Sequence, residues 1–121
     1  MADDALLVEV LMALGKAELV EQILVDERAK YRETTNIMGA TEDKSAGRSR
    51  IYINPMHHKR RDDVVSTLLH EGIHRARPEW KERSVERAEK RLYRQLSQEQ
   101  SDAIYKAYRQ AVKRFKGVRE L

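Results

Sequence analysis

Residues 61–78 read RDDVVSTLLHEGIHRARP, and this stretch predicts one amphipathic helix. Asp62 and Asp63 favour the start of a helix, because acidic side chains interact favourably with its positive N-terminal end. Pro78 favours an end near residue 77, because proline cannot continue the hydrogen-bonded backbone of a helix. Between these limits the apolar residues recur at helical spacing. These apolar residues are Val65, Leu68, Leu69, Ile73 and Ala76.

Within this helix, His70, Glu71 and His74 form the pattern H-E-x-x-H. Residues four apart lie on one face of a helix, so the two imidazoles can bind one metal ion together. Glu71 lies at the flank of that face, where a carboxylate can accept a proton from a metal-bound water. The pattern therefore predicts that His70 and His74 bind Zn2+ and that Glu71 is a general base.

A catalytic zinc usually has three protein ligands and a water, so this pair lacks one ligand. No histidine follows His74, which excludes sites that take a third histidine further along the chain. The next predicted helix offers carboxylates instead. Glu82 is favoured as the ligand, with Glu86 as the hydrogen-bonding partner of a ligand imidazole. The reverse assignment stays open, and so does a ligand from His57 or His58 in the basic loop upstream.

The N-terminal half is expected to contain two helices, a loop and one clear strand. Apolar residues at helical spacing predict a first helix that Gly15 interrupts or ends, and a second helix over residues 17–31. The polar, glycine-containing residues 33–48 predict a loop, with a poor strand near residues 37–38 as the alternative. The run at residues 50–53 predicts a strand, which we expect at the edge of a small sheet.

The C-terminal half is expected to contain two further helices after the one that carries the motif. One should cover residues 81–96. The other should begin after a capping box formed by Ser97 and Gln100, and its apolar spacing extends to Phe115. The expected fold is therefore a single α+β domain of residues 1–121, mostly α, with four to five helices.

Composition limits the classes of protein that fit. The 121 residues include no cysteine, which excludes disulfides and zinc sites built on thiolates. No apolar run is long enough to span a membrane, and no signal peptide is recognisable. We therefore expect no membrane partner and a cytoplasmic location.

Charge is spread unevenly along the chain, although the formal net charge is only +4. Residues 1–49 carry six Lys or Arg and ten Asp or Glu, whereas residues 75–121 carry fourteen and seven. A basic C-terminal half can attract nucleic acid. Interleaved acidic residues favour solvated helix faces instead, so nucleic-acid binding is kept as an alternative.

Residues 50–96 resemble a known family. They are similar to small gluzincin-type metallopeptidase-like proteins of phages and prophages. The similarity lies in the segment I-Y-I-N-P at residues 51–55, the pattern T-L-x-H-E-x-x-H at residues 67–74, a proline in the following loop and E-x-x-V-E at residues 82–86. The resemblance implies a zincin-like domain, hydrolysis of peptide bonds in a peptide or protein substrate, and a bacterial or phage-infected cell as the host. It also implies a third ligand from the second helix, Glu82 or Glu86, and an extended peptide bound along residues 50–53.

The chain departs from the larger members of that group, because it is too short for the second lobe that forms their cleft. Two other functions are therefore weighed beside hydrolysis. One is a non-catalytic, zinc-stabilised phage structural or interaction module. The other is a nucleic-acid-binding module that uses the basic C-terminal half.

Overall fold

The fold is described from a computed structural model for residues 2–25, 39–42 and 50–120. Four α-helices and a four-stranded sheet occupy these ranges, which confirms the expected α+β class with mostly helical structure. The helices are α1 (Ala2–Lys16), α2 (Arg61–Ala76), α3 (Glu82–Gln95) and α4 (Gln98–Ala111). The strands are β1 (Glu18–Val25), β2 (Gly39–Glu42), β3 (Arg50–Ile53) and β4 (Lys113–Glu120).

The strands lie in the order β2-β3-β1-β4. β1 pairs in parallel with both β3 and β4, whereas β2 is antiparallel to β3. The expectation that residues 50–53 form a sheet edge is therefore wrong, because β3 is an interior strand with Ile51, Tyr52 and Ile53 all buried. Among the described strands, the edges are β2 and β4.

β1 replaces the helix expected over residues 17–31. Leu19 faces the side of the sheet that packs on α2, whereas Val20 and Leu24 are buried with Tyr52 in a separate cluster. A strand buried on both faces carries adjacent apolar residues, and this pattern resembles helical spacing over a short run. This segment is therefore a strand because it pairs with β3 on one side and with β4 on the other. Residues 26–31 lie outside the described ranges.

The last helix is shorter than expected and is followed by a strand. α4 begins with the predicted capping box, in which Ser97 Oγ accepts from Gln100 N at 3.1 Å and Gln100 Oε1 accepts from Ser97 N at 2.8 Å. It ends at Ala111, and Phe115 lies exposed in β4. β4 bulges where it pairs with β1, and Gly117 there has a φ of 100°, which favours glycine.

α2 packs on other helices with one side and on the sheet with another. Leu69 and Ile73 are fully buried in a cluster with residues of α1 and α3. Val64 and Leu68 pack against Ile51 of β3 in a second cluster. α2 ends at Ala76, before Pro78, as its sequence predicts. The two packed sides leave a third side of α2 for polar side chains.

Gly72, inside the H-E-x-x-H pattern, lies where α1 approaches α2 closely. A Cβ atom at this position would lie 2.7 Å from Val10 Cγ1 and 3.3 Å from Leu14 Cγ. No real Cβ tolerates a contact as short as 2.7 Å, so a larger residue would push α1 away. The motif pattern alone does not predict this packing role for its central glycine.

No helix in the described ranges is both long enough and apolar enough to cross a membrane.

Candidate metal centre

The third side of α2 presents His70 and His74, one turn apart. Their Nε2 atoms lie 3.2 Å from each other, and the ring centroids are 4.8 Å apart in an edge-on arrangement. The two side chains keep 17% and 29% of their surface exposed, so a small ion can reach them from solvent. The helix therefore orients both imidazoles towards one point.

Residues 77–81 turn the chain back so that α3 begins beside His74. Trp80 N donates to Arg77 O at 3.1 Å in this turn, and Trp80 packs against the helical core. Glu82 is the first residue of α3. Its Oε1 lies 2.6 Å from His70 Nε2, and its Oε2 lies 3.0 Å from His74 Nε2. The short turn thus brings a carboxylate to the same point as the two imidazoles.

His70, His74 and Glu82 form a group that can hold a metal ion, with donor atoms all within 4.8 Å of one another. In a tetrahedral zinc site with bonds of about 2.0–2.1 Å, the ligand atoms lie about 3.3 Å apart. The separation of the two Nε2 atoms, 3.2 Å, is close to that value. The two oxygens of Glu82 lie somewhat nearer, at 2.6 Å from His70 Nε2 and 3.0 Å from His74 Nε2. Two imidazole nitrogens and a carboxylate oxygen also suit zinc and its neighbours in the first transition series.

Glu89 fixes the orientation and tautomer of His70. Its Oε1 lies 2.7 Å from His70 Nδ1. A carboxylate accepts, so Nδ1 carries the proton and Nε2 is left to face the ligand group. This hydrogen bond is also the main reason why the pKa of His70 is raised. A metal ion and a proton therefore compete for the same imidazole.

Glu86 does not occupy the role expected for it, because the imidazole partner is Glu89. At about 100° per residue, Glu89 lies about 20° around α3 from Glu82, on the side of the buried face. Glu86 lies about 40° from Glu82 in the other direction, and its side chain is exposed. The seven-residue spacing puts Glu89 on the same side of α3 as Glu82, but Glu86 at four-residue spacing also lies near that side, so the spacing alone does not select the partner.

Both ring nitrogens of His58 form hydrogen bonds that stabilise the loop before α2. Its Nδ1 donates to Asn54 O at 2.5 Å, and its Nε2 lies 2.7 Å from Thr67 Oγ1. Nδ1 must carry the proton, so Nε2 accepts from the Thr67 hydroxyl. His57 does not join the ligand group either, and its buried Nε2 has no hydrogen-bond partner among the described residues. The basic loop therefore adds no ligand to the group.

Glu71 is buried beside the ligand pair, with a relative exposure of 7%. It lies about 100° around α2 from His70 and about 60° from His74. This direction is shared with Val64 and Leu68, which pack on the sheet side. Glu71 therefore projects from α2 between the ligand face and the side that packs on the sheet, whereas the exposed Glu82 side chain lies on the solvent side of the group.

Compared with protein-family models, with curated proteins and with solved structures, the chain gives no significant match. The resemblance of residues 50–96 to gluzincin-type proteins therefore rests on their sequence pattern and stays a prediction.

Proposed function

We propose that this protein is a zinc-dependent peptidase in which His70, His74 and Glu82 bind the metal. The observation that carries the proposal is the convergence of the two Nε2 atoms and the Glu82 carboxylate. The Glu82 side chain is 57% exposed, so the group is open to water and substrate on that side. An open side distinguishes a catalytic zinc site from a closed structural one.

In the proposed reaction, Glu71 accepts a proton from the attacking water and later delivers it to the leaving amine. When bound, zinc activates that water towards neutral pH and polarises the substrate carbonyl. Glu89 keeps the His70 ring in place through Nδ1, so that Nε2 stays directed at the ligand group. Burial of Glu71 restricts the movement of its carboxylate, which favours proton transfer along a fixed path.

The proposed substrate is an extended segment of a peptide or protein. The family resemblance places such a segment along residues 50–53, but β3 is already paired on both sides. We therefore assign the substrate to the outer edge of β2, which lies beside α2. An edge strand offers unpaired backbone groups to an added strand, and this mode gives affinity without strict sequence requirements.

The decisive experiment compares Glu71→Gln with the wild-type protein after both have been loaded with zinc. Cleavage of unfolded casein and of a mixed fluorogenic peptide library should fall by at least about 100-fold, the typical contribution of a general base. Bound zinc should stay at one ion per chain, because Glu71 is not a ligand. Glu79→Gln, at an exposed position in the turn before α3, serves as the matched control.

Two results would contradict the proposal that this site is a zinc peptidase. Unchanged cleavage by Glu71→Gln would show that the activity does not come from this site. Stoichiometric zinc in a wild-type protein that cleaves neither probe would identify a zinc-stabilised module without turnover.

A further inference from the structure

α3 presents three faces of different chemistry. Val85, Ala88 and Leu92 are buried against the helical core. Glu82 and Glu89 are directed at the histidines of α2. The third face points outward and carries only basic side chains among its charged residues. We call it the α3 basic stripe, and its members are Arg83, Arg87, Lys90, Arg91 and Arg94.

The α3 basic stripe is narrow and regular. At about 100° per residue its five members fall within an arc of about 100°, and at about 1.5 Å per residue they extend over about 16 Å. All five are exposed, and no acidic residue lies within the arc. The regular spacing, close to one helical turn between neighbours, creates a line of positive charge along α3.

Ion pairs within the described residues do not account for the charge of four members of the stripe. Arg83, Arg87, Lys90 and Arg94 form no salt bridge with any residue in the described ranges. Cations at four-residue spacing, such as Arg83 with Arg87, repel each other and destabilise an isolated helix. The stripe therefore weakens α3 in the free protein, and a polyanion bound along it would remove that repulsion.

We propose that the α3 basic stripe binds the phosphate backbone of a double-stranded nucleic acid. Four of its five members are arginines, whose planar guanidinium groups match phosphate oxygens. A row of cations one turn apart suits the regular phosphates of a duplex better than the irregular charges of a protein surface.

Other ligand classes fit the stripe less well. It includes no aromatic side chain on which the bases of a single strand would stack. The apolar residues Val85, Ala88 and Leu92 all face inward, so none is available for insertion into a membrane. α4 is a poorer candidate for the same ligand, because acidic Glu99 and Asp102 lie among its cations.

This surface is distinct from the metal centre. Glu82 lies about 100° around α3 from Arg83 and further from the middle of the stripe. A bound duplex would therefore leave the ligand group open. Glu82→Ala should bind duplex as the wild type does, so failure of nucleic-acid binding and failure of the peptidase proposal are separable.

The test uses the full chain and a 20-base-pair duplex of mixed sequence, prepared as DNA and as RNA and labelled for fluorescence anisotropy. With four or five phosphate contacts, the logarithm of the association constant should fall with the logarithm of salt at a slope of about −4, so raising salt from about 50 to about 200 mM should weaken binding by more than about 100-fold. Binding of either duplex supports the proposal, and the tighter one identifies the class.

The variant Arg87→Gln/Arg94→Gln should bind at least about 10-fold more weakly, with a slope shallower by about 2. Its melting temperature should not fall, because neither arginine has an ion pair to lose in the described structure. The control Lys106→Gln/Lys116→Gln removes the same charge from exposed positions on α4 and β4, and it should bind within twofold of wild type. Arg87→Lys/Arg94→Lys keeps the charge and should keep the slope.

Three results would overturn the proposal. The first is no binding of either duplex at 50 mM salt. The second is an equal loss in the control variant, which would indicate net charge rather than the stripe. The third is binding of polyglutamate as tight as that of the duplexes, which would indicate an acidic protein partner.

Discussion

Glu82 lies in the first turn of α3 and contacts the imidazoles of both His70 and His74. Glu86 lies one turn further on and is exposed. Glu82→Ala should therefore lower zinc affinity by at least about 100-fold, because it removes one of the three proposed ligands. Glu86→Ala removes an exposed carboxylate and should change affinity less than twofold. Competition with a chromophoric chelator measures both. Equal losses in the two variants would contradict the assignment of Glu82.

Most of this residue-scale arrangement follows from local spacing in the sequence. His70 and His74 lie on one face because they are four residues apart in a helix. Glu82 is predictable from a proline-containing turn and the absence of a later histidine. Glu89 was not predicted as the partner of His70, because its selection over Glu86 depends on how α3 rotates against α2.

The His58 imidazole is neutral in the fold, and burial lowers its pKa below the ordinary value. The unfolded chain takes up a proton on His58 below about pH 6.5, whereas the folded protein resists this until a lower pH. Neutral His58 therefore contributes fully to the stability of the fold above about pH 6.5. This contribution decreases below that pH and is lost as the pH falls through the lowered pKa of His58 in the folded protein.

The variant His58→Asn isolates this contribution, because its amide can still donate to Asn54 O but does not titrate. In metal-free protein, the decrease in melting temperature from pH 7.5 to pH 5 should be smaller for His58→Asn than for wild type. The raised pKa of His70 has the opposite effect on how stability changes with pH. Because His70 is present in both proteins, that effect cancels when they are compared. Identical pH profiles would show that His58 is not held neutral.

At the scale of elements, the contact between α1 and α2 depends on Gly72. Gly72→Ala should destabilise the protein by about 1–2 kcal/mol, because overpacking exceeds the helix propensity that alanine adds. Gly15→Ala is the control, since an added Cβ meets nothing within 4 Å there. It should be neutral or stabilise by up to about 1 kcal/mol. Urea titration measures both, and equal effects would contradict the close approach of α1.

Helices were more predictable than strands in this chain. α2, α3 and the start of α4 lie where capping residues, proline and apolar spacing place them. β1 and the segment after Ala111 were expected to be helical, and both are strands because they pair with each other. Such pairing joins residues about 90 positions apart, and no local pattern in the sequence encodes it.

For the whole molecule, the proposed metal joins α2 to α3 in the native state only. Zinc at about 100 times its dissociation constant should stabilise the fold by about 2.7 kcal/mol, which raises the melting temperature by roughly 10 °C for a chain of this size. EDTA should reverse the shift, and His74→Ala should abolish it. A zinc-dependent shift of the same size in His74→Ala would place the metal elsewhere.

The position of β4 also determines when the fold can be completed. Its register with β1 pairs Val20 with Lys113, so one side of β1 stays unpaired until residue 113 and those after it have been synthesised. Closing so large a loop has an entropic cost, and contacts of this range slow folding. A ribosome-bound chain that ends before residue 113 therefore has an open β1 edge, and that edge is where nascent chains should associate with one another.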